Sequence, residues 1–316
     1  MSKFSNEISG RVYVAGGVNV DIGGTASAEL VLRDSNPGAI HTSFGGVGRN
    51  IAHNMKLLGL NVSLLTAIGD DYNGQLIRSS CAEYGIDISE ALLVKGASSS
   101  TYMFINGPDG DMAIALNDMR ICDHLTPAYY GGKMPAMNDA DAIVVDCNLP
   151  AESVEYIINN AEVPVFVDMV SSIKAVKSIP VLDKIHTIKA NRAEAEVLSG
   201  VDITNDESLE KAANILINKG VKNVFISIGA EGMYVATKDS RDFVKPFKSE
   251  VVNTTGAGDC AMATLVRAYL CGLSAKEAAL YANAAASIAI GSVETISPNV
   301  SVMKVEEIVN NMVDAQ

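Results

Sequence analysis

The chain has 316 residues, and its 24 Lys and Arg against 37 Asp and Glu give a formal net charge of −13 at pH 7. This charge argues against binding to a nucleic-acid backbone or an anionic membrane, since both attract basic patches. Hydrophobic residues make up 48% of the chain, which excludes disorder, and aromatic residues make up 5%, which leaves few surfaces for stacking single strands. The length fits one large α/β domain or two domains.

Cysteines and histidines give no sign of a metal site. The five cysteines are scattered without a Cys-x-x-Cys pair, and the four histidines follow no ligand spacing. Reduced, packed cysteines are therefore favoured over disulfides or zinc. Residues 1–10 lack the pattern of a secretory signal, and the apolar stretch at 278–290 is too short and too polar to cross a bilayer. We expect a cytoplasmic protein.

Short β-branched runs alternate with helical patterns along most of the chain. Strands are predicted at residues 11–18, 61–67, 142–146, 163–168, 185–189 and 223–228. Helices are predicted at 48–58, 74–84, 151–160, 192–199, 209–219, 256–271, 275–291 and 302–314. This alternation is typical of a mainly parallel sheet flanked by helices, which binds ligands beyond the carboxyl ends of its strands.

Two segments do not fit this alternation. Residues 28–44 are polar and extended, and residues 100–105 and 111–116 predict a hairpin around the turn at 107–110. They indicate either a small β-sheet lid or an ordinary edge hairpin. Because no repeat or linker is present, we expect a single domain over residues 1–316, with the lid from roughly 23–44 and 98–120.

Several common phosphate and catalytic motifs are absent. The chain has no G-x-x-x-x-G-K-[ST] loop and no G-x-S-x-G elbow. Residues 45–50 (Gly-Gly-Val-Gly-Arg-Asn) do not match G-x-G-x-x-G, so NAD binding is not expected.

The most informative stretch is residues 253–259, Asn-Thr-Thr-Gly-Ala-Gly-Asp, which precedes a predicted helix. Small residues there leave backbone N–H groups uncovered at a helix N-terminus, which favours an anion site. Asp259 either complements the helix dipole or acts as a general base beside the bound phosphate.

Two further pairs carry polar groups at strand ends. Asn191 and Glu194 suit either a magnesium ion with its water shell or a helix capping box, and both can hold together. Asp21, two residues after Asn19, can accept hydrogen bonds from vicinal hydroxyls or can be an ordinary turn carboxylate.

Four motifs occur in one order from about Arg11 to the last helix: Asn19 with Asp21, residues 45–50, Asn191 with Glu194, and residues 256–259. Their combination resembles the ribokinase-like (PfkB) carbohydrate kinases. The resemblance implies an α/β, ribokinase-like fold, in which helices flank a mainly parallel sheet and a small β-sheet forms a lid. It also implies ATP and Mg²⁺ as co-substrate and metal.

The resemblance assigns roles by position. Asp259 is implied as the general base, with the N–H groups of Gly256, Ala257 and Gly258 as the anion hole. The implied substrate residues are Asn19, Asp21, Gly45, Gly46 and Asn50 for the ribose, and Ser35, Asp118 and Lys174 for the nucleobase. The implied nucleotide residues are Ser227, Gly229, Gly232 and Asn283, together with Asn191 and Glu194, which would organise magnesium through water.

Within the family, residues 34–38, 117–119, 146–148 and 165–168 resemble the branch that phosphorylates the 5′-hydroxyl of pseudouridine. Two alternatives stay open: a kinase for ribose, another sugar or a conventional nucleoside, and a non-catalytic regulator that binds a sugar or nucleoside. A base poised at an anion hole argues against the regulator. Lids of the family often pair across a dimer, so a homodimer through the lid is a further expectation.

The chain departs from the family pattern at three positions. Asn253 stands where a carboxylate often contributes to a potassium site, so potassium activation is in doubt. Ala261 replaces a common Phe, and Met169 replaces a usual Pro.

Overall fold

The computed structural model describes residues 3–313, so the predicted helix end at Asp314 lies outside the described residues. The strands are β1 (Arg11–Ala15), β2 (Asn19–Ala26), β3 (Gly38–Gly45), β4 (Asn61–Leu65), β5 (Ala67–Gly69), β6 (Leu92–Val94), β7 (Thr101–Asn106), β8 (Met112–Asp118), β9 (Ala142–Asp146), β10 (Val165–Asp168), β11 (Thr187–Asn191), β12 (Asn223–Ser227), β13 (Met233–Thr237) and β14 (Arg241–Val244).

The helices surround these strands. They are α1 (Val47–Leu57), α2 (Tyr72–Glu83), α3 (Pro127–Gly131), α4 (Met134–Asn138), α5 (Ala151–Asn160), α6 (Ser172–Ala175), α7 (Arg192–Ser199), α8 (Asp206–Asn218), α9 (Ala257–Leu270), α10 (Ala275–Ile290) and α11 (Val302–Val313). Side-chain caps start several of them: Asp71 caps α2, and capping boxes open α7, α8 and α10. Within the described residues, no helix is long and apolar enough to cross a membrane.

The larger sheet has eight strands in the order β14-β13-β12-β11-β10-β9-β1-β4. Six neighbouring strands of this sheet, β4, β1, β9, β10, β11 and β12, run parallel, which confirms the predicted mainly parallel sheet. The strands β13 and β14 add an antiparallel edge that the sequence did not predict. The predicted strands are all present with ends shifted by up to three residues. Their carboxyl ends form one edge, called here the carboxyl edge.

Two hydrophobic cores cover the two faces of this sheet. Val12 and Val14 of β1 join the core with α1, α9 and α10, whereas Tyr13 and Ala15 join the core with α5, α7 and α8. Successive strand residues therefore serve opposite layers, as expected for a sheet buried on both faces.

A separate four-stranded sheet, called here the small sheet, has the order β3-β2-β7-β8. β2 pairs antiparallel with β3 and parallel with β7, and β7 and β8 form the predicted hairpin. The hairpin does not extend the edge of the larger sheet, so the edge-hairpin alternative was wrong.

Two predicted boundaries near the small sheet were also wrong. The strand predicted over residues 11–18 ends at Ala15, and the next residue, Gly16, passes so close to Asp146 and Gly48 that a side chain there would clash. Asn19 and Asp21 consequently lie in β2 rather than in a turn. Residues 27–37 form a loop, and β3 begins only at Gly38.

Candidate active site

Three charged side chains lie side by side at the carboxyl edge. The strand register places Asp146 of β9 opposite Asp168 of β10, and Asp168 opposite Lys189 of β11. The Lys189 ammonium donates to Asp168 Oδ2 at 2.7 Å, and the two side chains are only 8% and 5% exposed. Buried charges of this kind are tolerated only when they are paired.

Asp259 lies over this row in the first turn of α9. Asn50 Nδ2 of α1 donates to Asp259 Oδ2 at 2.9 Å, while Asn50 Oδ1 is buried without a partner among residues 3–313. Burial raises the pKa of Asp259 to about 7, and the Asp168 carboxylate adds to the rise, whereas the Asn50 amide and the Lys189 ammonium oppose it. Asp259 therefore changes its charge near neutral pH.

The backbone before Asp259 adopts a conformation that requires glycine at the start of α9. Gly256 caps α9 with a φ of 82°, and a Cβ there would collide with the Thr295 carbonyl. In the described part of the chain, the N–H groups of Gly256 and Gly258 have no acceptor, and that of Ala257 has only a long contact of 3.4 Å to the Thr254 carbonyl. These donors stand at the positive end of a 14-residue helix, which suits an anion.

Lys189 adds a positive charge to the same place. Its Nζ lies 3.1 Å from the point where a Cβ of Gly258 would stand. Burial alone would lower the pKa of Lys189, but the Asp168 carboxylate, together with Asp259 and Glu194, outweighs that effect and the pKa is raised. The ammonium is therefore kept charged beside the N-terminus of α9.

Asp146 fixes the loops around the site. Its Oδ2 accepts from the N–H groups of Gly17 at 2.9 Å and Gly48 at 2.7 Å, and its Oδ1 accepts from Asn148 N at 2.8 Å. One fully buried carboxylate thus ties β9 to the segment after β1 and to the start of α1.

The predicted ribose residues come together at the end of the small sheet where β2 begins and β3 ends, called here its root. Asn19 Nδ2 donates to Asp21 Oδ1, and a Cβ at Gly45 would collide with both side chains. Gly46 has a φ of 92° and leaves no room for a side chain beside the Gly17 carbonyl. Burial raises the pKa of Asp21 to about 6, and hydrogen bonding from Asn19 opposes the rise.

The three predicted nucleobase residues are placed differently. Lys174 Nζ donates to Asn148 Oδ1, and Asn148 borders Gly17, so Lys174 lies near the carboxyl edge. Ser35 lies exposed in the loop between β2 and β3. Asp118 pairs with Arg120, and its register opposite Thr101 puts it on the other face of the small sheet from Asp21, so the structure does not bring it to the ribose residues.

The predicted nucleotide residues line one end of the carboxyl edge. Ser227 ends β12 opposite Asn191, and Gly229 and Gly232 adopt positive φ values in the turn to β13. Asn283 Nδ2 of α10 donates to the Val244 carbonyl at 2.9 Å, the same carbonyl that a Cβ of Gly232 would strike.

The loop before α9 is held by an amide. Asn253 Oδ1 accepts from Thr255 N at 2.9 Å and its Nδ2 donates to the Val293 carbonyl at 3.1 Å. Ala261 and Met169, the other two departures from the family pattern, are both buried.

The sequence profile of the pfkB family carbohydrate kinases matches residues 11–301. The chain belongs to the pfkB family. It is 37% identical over 302 residues to the pseudouridine kinase of Escherichia coli K12, covering 95% of this chain and 96% of the relative. A crystal structure of a candidate sugar kinase from Clostridium perfringens superposes with a TM-score of 0.87 at 31% identity, over 96% of each chain.

A ribokinase from Thermotoga maritima superposes with a TM-score of 0.86 at 21% identity, over 96% of this chain and all of the other, which shows the ribokinase fold. As a pfkB family kinase, the protein is a phosphotransferase with an alcohol group as acceptor, acting on a sugar or nucleoside with ATP as co-substrate.

The donor set of this kinase fits a magnesium ion held through water. Asn191 and Glu194 form the capping box of α7: Asn191 N donates to Glu194 Oε2 at 2.8 Å, and Glu194 N donates to Asn191 Oδ1 at 3.0 Å. Glu194 Oε1 accepts no hydrogen bond from the described residues. No group of three or more acidic, His or Cys side chains in residues 3–313 could hold a metal alone. One carboxylate oxygen with nucleotide phosphates and water is the arrangement that Mg²⁺ prefers.

Lys189 was not predicted as a site residue, nor was the role of Asp146 in fixing the two glycine loops, called here the Asp146 clamp. Asp146 ends β9, and Lys189 ends the strand predicted at residues 185–189, although β11 continues to Asn191. A charged residue at the end of a buried strand was the available signal, because such strands place ligand-binding groups at the carboxyl edge.

We predict that Asp146→Asn destabilises this kinase by about 2–4 kcal/mol. In the unsubstituted protein both carboxylate oxygens accept from backbone N–H groups, whereas in the variant the amide NH₂ replaces one oxygen and faces an N–H donor without an acceptor. Since the clamp holds the start of α1, KM for the acceptor should also rise. Thermal unfolding and steady-state kinetics measure the two effects. Asp139→Asn, at an exposed position, is the matched control and should change stability by about 0.5 kcal/mol or less. Equal stability of the two variants would contradict the clamp.

Proposed function

We propose that this kinase transfers the γ-phosphoryl group of ATP to the 5′-hydroxyl of pseudouridine. The observation that carries the proposal is the buried Asp259 carboxylate beside the uncommitted N–H groups of Gly256 and Gly258. The choice of pseudouridine rests on the 37% identity to the Escherichia coli pseudouridine kinase along nearly the whole chain.

Asp259 is the general base in this proposal. Its carboxylate takes the proton of the 5′-hydroxyl as the 5′-oxygen bonds to the γ-phosphorus and the bond from that phosphorus to the β–γ bridging oxygen breaks. ADP leaves, and the proton stays on Asp259 until solvent removes it. Asn50 holds the carboxylate in place through its Nδ2, and its buried, unpartnered Oδ1 is free to accept a substrate hydroxyl.

The phosphoryl group is held by backbone and ammonium charge. The N–H groups of Gly256, Ala257 and Gly258 and the adjacent Lys189 ammonium stabilise the negative charge on the γ-phosphate oxygens. Glu194 and Asn191 would hold magnesium through water, and the ion would neutralise phosphate charge. Ser227, Gly229, Gly232 and Asn283 border the nucleotide.

Ribose is held at the root of the small sheet. Asp21 accepts hydrogen bonds from the vicinal hydroxyls over Gly45 and Gly46, and Asn19 orients the Asp21 carboxylate. Lys174, through its position beside Asn148, remains a candidate for the nucleobase, as does Ser35 if the loop of residues 27–37 folds over the substrate. The small sheet is then a lid on a single domain.

A substrate panel tests the acceptor. With ATP and Mg²⁺, ADP release should be fastest with pseudouridine among pseudouridine, uridine, adenosine, ribose and fructose. A preference for ribose or uridine would reject pseudouridine as the substrate, and no turnover with any acceptor would favour a binding protein without activity.

Asp259→Asn should lower kcat by several orders of magnitude while nucleoside binding is kept, because the amide still accepts from Asn50 but cannot take a proton. In the unsubstituted kinase, kcat/KM should fall as pH drops below about 7, where Asp259 becomes protonated.

Stability gives an independent check on Asp259. Because folding raises the pKa of Asp259 from 3.8 to about 7, the folded state binds the acid proton more tightly than the unfolded state. Protonated Asp259 therefore contributes to the free energy of unfolding at low pH, and this contribution is lost as pH rises through 7. Asp259→Asn should therefore raise Tm at pH 8 and change it less at pH 5. A lower Tm at pH 8, or activity near that of the unsubstituted kinase, would contradict the assignment.

We also propose a homodimer through the small sheet. Beyond its root, the face of the sheet opposite Asp21 carries exposed aliphatic side chains, namely Ile40, Met103, Ile105, Ile114 and Leu116. Contiguous apolar surface of this kind is typical of an interaction site, and a second copy offers a self-complementary partner.

Sedimentation of the purified protein should show a dimer that Leu116→Glu converts to a monomer, because the charge would be buried at the interface. Leu32→Glu is the matched control, since Leu32 is 88% exposed in the loop outside the small sheet. A monomeric unsubstituted protein would reject the dimer.

A further inference from the structure

Arg49, in the first turn of α1, is a buried cation that the proposed reaction does not use. It is only 4% exposed, and it forms no ion pair within residues 3–313. Its Nη1 donates to the Phe44 carbonyl at 3.3 Å and its Nη2 donates to Ser80 Oγ at 3.1 Å, whereas Nε is buried with no partner in that range. Both acceptors are neutral. Because an unpaired buried charge costs free energy, the position of this charge calls for a reason.

Aromatic rings hold the guanidinium in one place. Its Cζ lies 5.7 Å from the ring centroids of both Phe44 and Tyr84, within the range of cation–π attraction. Tyr84 also packs on His53, with 3.9 Å between the ring centroids. Burial lowers the pKa of His53 to about 4, and the Arg49 charge adds to this fall, so His53 is neutral at pH 7. Arg49 is therefore the positive charge of this cluster, and its position is fixed by packing.

The guanidinium lies against the root of the small sheet. The carbonyl that it holds belongs to Phe44, which directly precedes Gly45 at the end of β3. A Cβ at Gly45 would stand only 2.3 Å from Asp21 Oδ2, so the Asp21 carboxylate lies directly on this part of β3. Arg49 N also donates to the Gly17 carbonyl at 3.1 Å, which joins α1 to the segment before β2. The guanidinium and the Asp21 carboxylate are thus linked through the backbone of Phe44 and Gly45.

Charge links Arg49 to Asp21 as well. Burial raises the pKa of Asp21 to about 6, and the hydrogen bond from Asn19 and the Arg49 charge oppose that rise. Arg49 is the cation that acts on Asp21, although the two side chains form no ion pair. A cation at this distance favours the ionised carboxylate without blocking its oxygens.

The other groups around these two side chains come from three neighbouring elements. Across the strand pairs, Asp21 faces Ser43 of β3 and Tyr102 of β7, and His41 of β3 lies two residues from Ser43 on the same face. On α2, the groups that act on Arg49 are Cys81, Tyr84 and Glu83.

We propose that Arg49 is a positioning residue for the acceptor: from α1 it holds the end of β3, and its charge stabilises the Asp21 carboxylate that accepts from the acceptor hydroxyls. This inference rests on the proposed function, because it takes Asp21 to hold the ribose. Arg49 acts through Asp21 and contacts no substrate group itself. Its removal should therefore weaken acceptor binding and leave the transfer step and ATP binding nearly unchanged.

Arg49→Gln and Arg49→Lys separate the charge from the hydrogen bonds. Glutamine keeps an N–H donor for the Phe44 carbonyl and removes the charge, whereas lysine keeps the charge. Arg49→Gln should raise KM for pseudouridine about tenfold, the loss expected for one hydrogen bond to a charged group, with kcat and KM for ATP within about twofold. KM for Arg49→Lys should lie closer to that of the unsubstituted protein. Arg78→Met, which removes an exposed charge from α2, is the matched control and should change none of these constants.

The pH dependence of acceptor binding gives a readout that packing alone would not move. In the Asp259→Asn background, which removes the titration of Asp259, calorimetric affinity for ribose and for pseudouridine should fall as pH drops through about 6, where Asp21 becomes protonated. Adding Arg49→Gln should move that midpoint to higher pH, because a cation that favours the carboxylate is lost. His41 and Tyr102 are present in both proteins, so the difference between the two curves reports Arg49.

An unchanged midpoint, an equal rise in KM for Arg49→Lys and Arg49→Gln, or an unchanged KM in Arg49→Gln would overturn the proposal. If Arg49→Gln does not fold, Arg49→Met keeps the unbranched stem and is judged by the same comparison with Arg49→Lys. Failure here is distinguishable from failure of the proposed function. The binding curves use ribose as well as pseudouridine and need no ATP, whereas the substrate panel decides which acceptor is phosphorylated.

Discussion

A single buried ammonium determines how the carboxyl edge can be built. Lys189 lies within a group of carboxylates at the ends of β9 to β11 and the start of α9, and it pairs directly with Asp168. Without it, Asp168 would lose its ion-pair partner, and the buried Glu194 and Asp259 would lose the cation that lowers their pKa values, at a cost of several kcal/mol. The pair therefore allows acidic groups to be packed beside the N-terminus of α9, where the proposed reaction needs a base. It also leaves Asp259 close to balance between its two protonation states.

Much of the fold could be predicted because each parallel strand of the larger sheet, four or five residues long, overlaps an apolar β-branched run next to a helical pattern. The strands β13 and β14 escaped prediction, because Met233–Thr237 and Arg241–Val244 form a short antiparallel edge with no helix between them. The end of β1 was misplaced for a different reason. The apolar character continues to Val18, and the sequence does not show that Gly16 lies against Asp146, 130 residues away.

The site could be predicted in part. Motifs local in sequence drew attention to the glycine loop before Asp259, the Asn191–Glu194 pair and the Asp21 carboxylate, whose roles stay predictions. The capping-box interpretation of Asn191 and Glu194 is confirmed, and because it leaves one carboxylate oxygen available, magnesium held through water stays a prediction. Contacts between distant segments could not be predicted, and these include Asn50 with Asp259, Asp146 with the glycines, and Lys189 beside Gly258. Each depends on which strands become neighbours, which a single sequence does not state.

The division into two sheets has a consequence for how such kinases diversify. The groups proposed to act on phosphate belong to the larger sheet and its helices, whereas Asn19 and Asp21, proposed to hold the ribose, belong to the small sheet. Exchanges on the small sheet can therefore alter which alcohol is accepted without disturbing the carboxylates and the ammonium at the carboxyl edge. A scaffold with this separation can acquire new acceptors through few substitutions, each neutral to the chemistry of transfer.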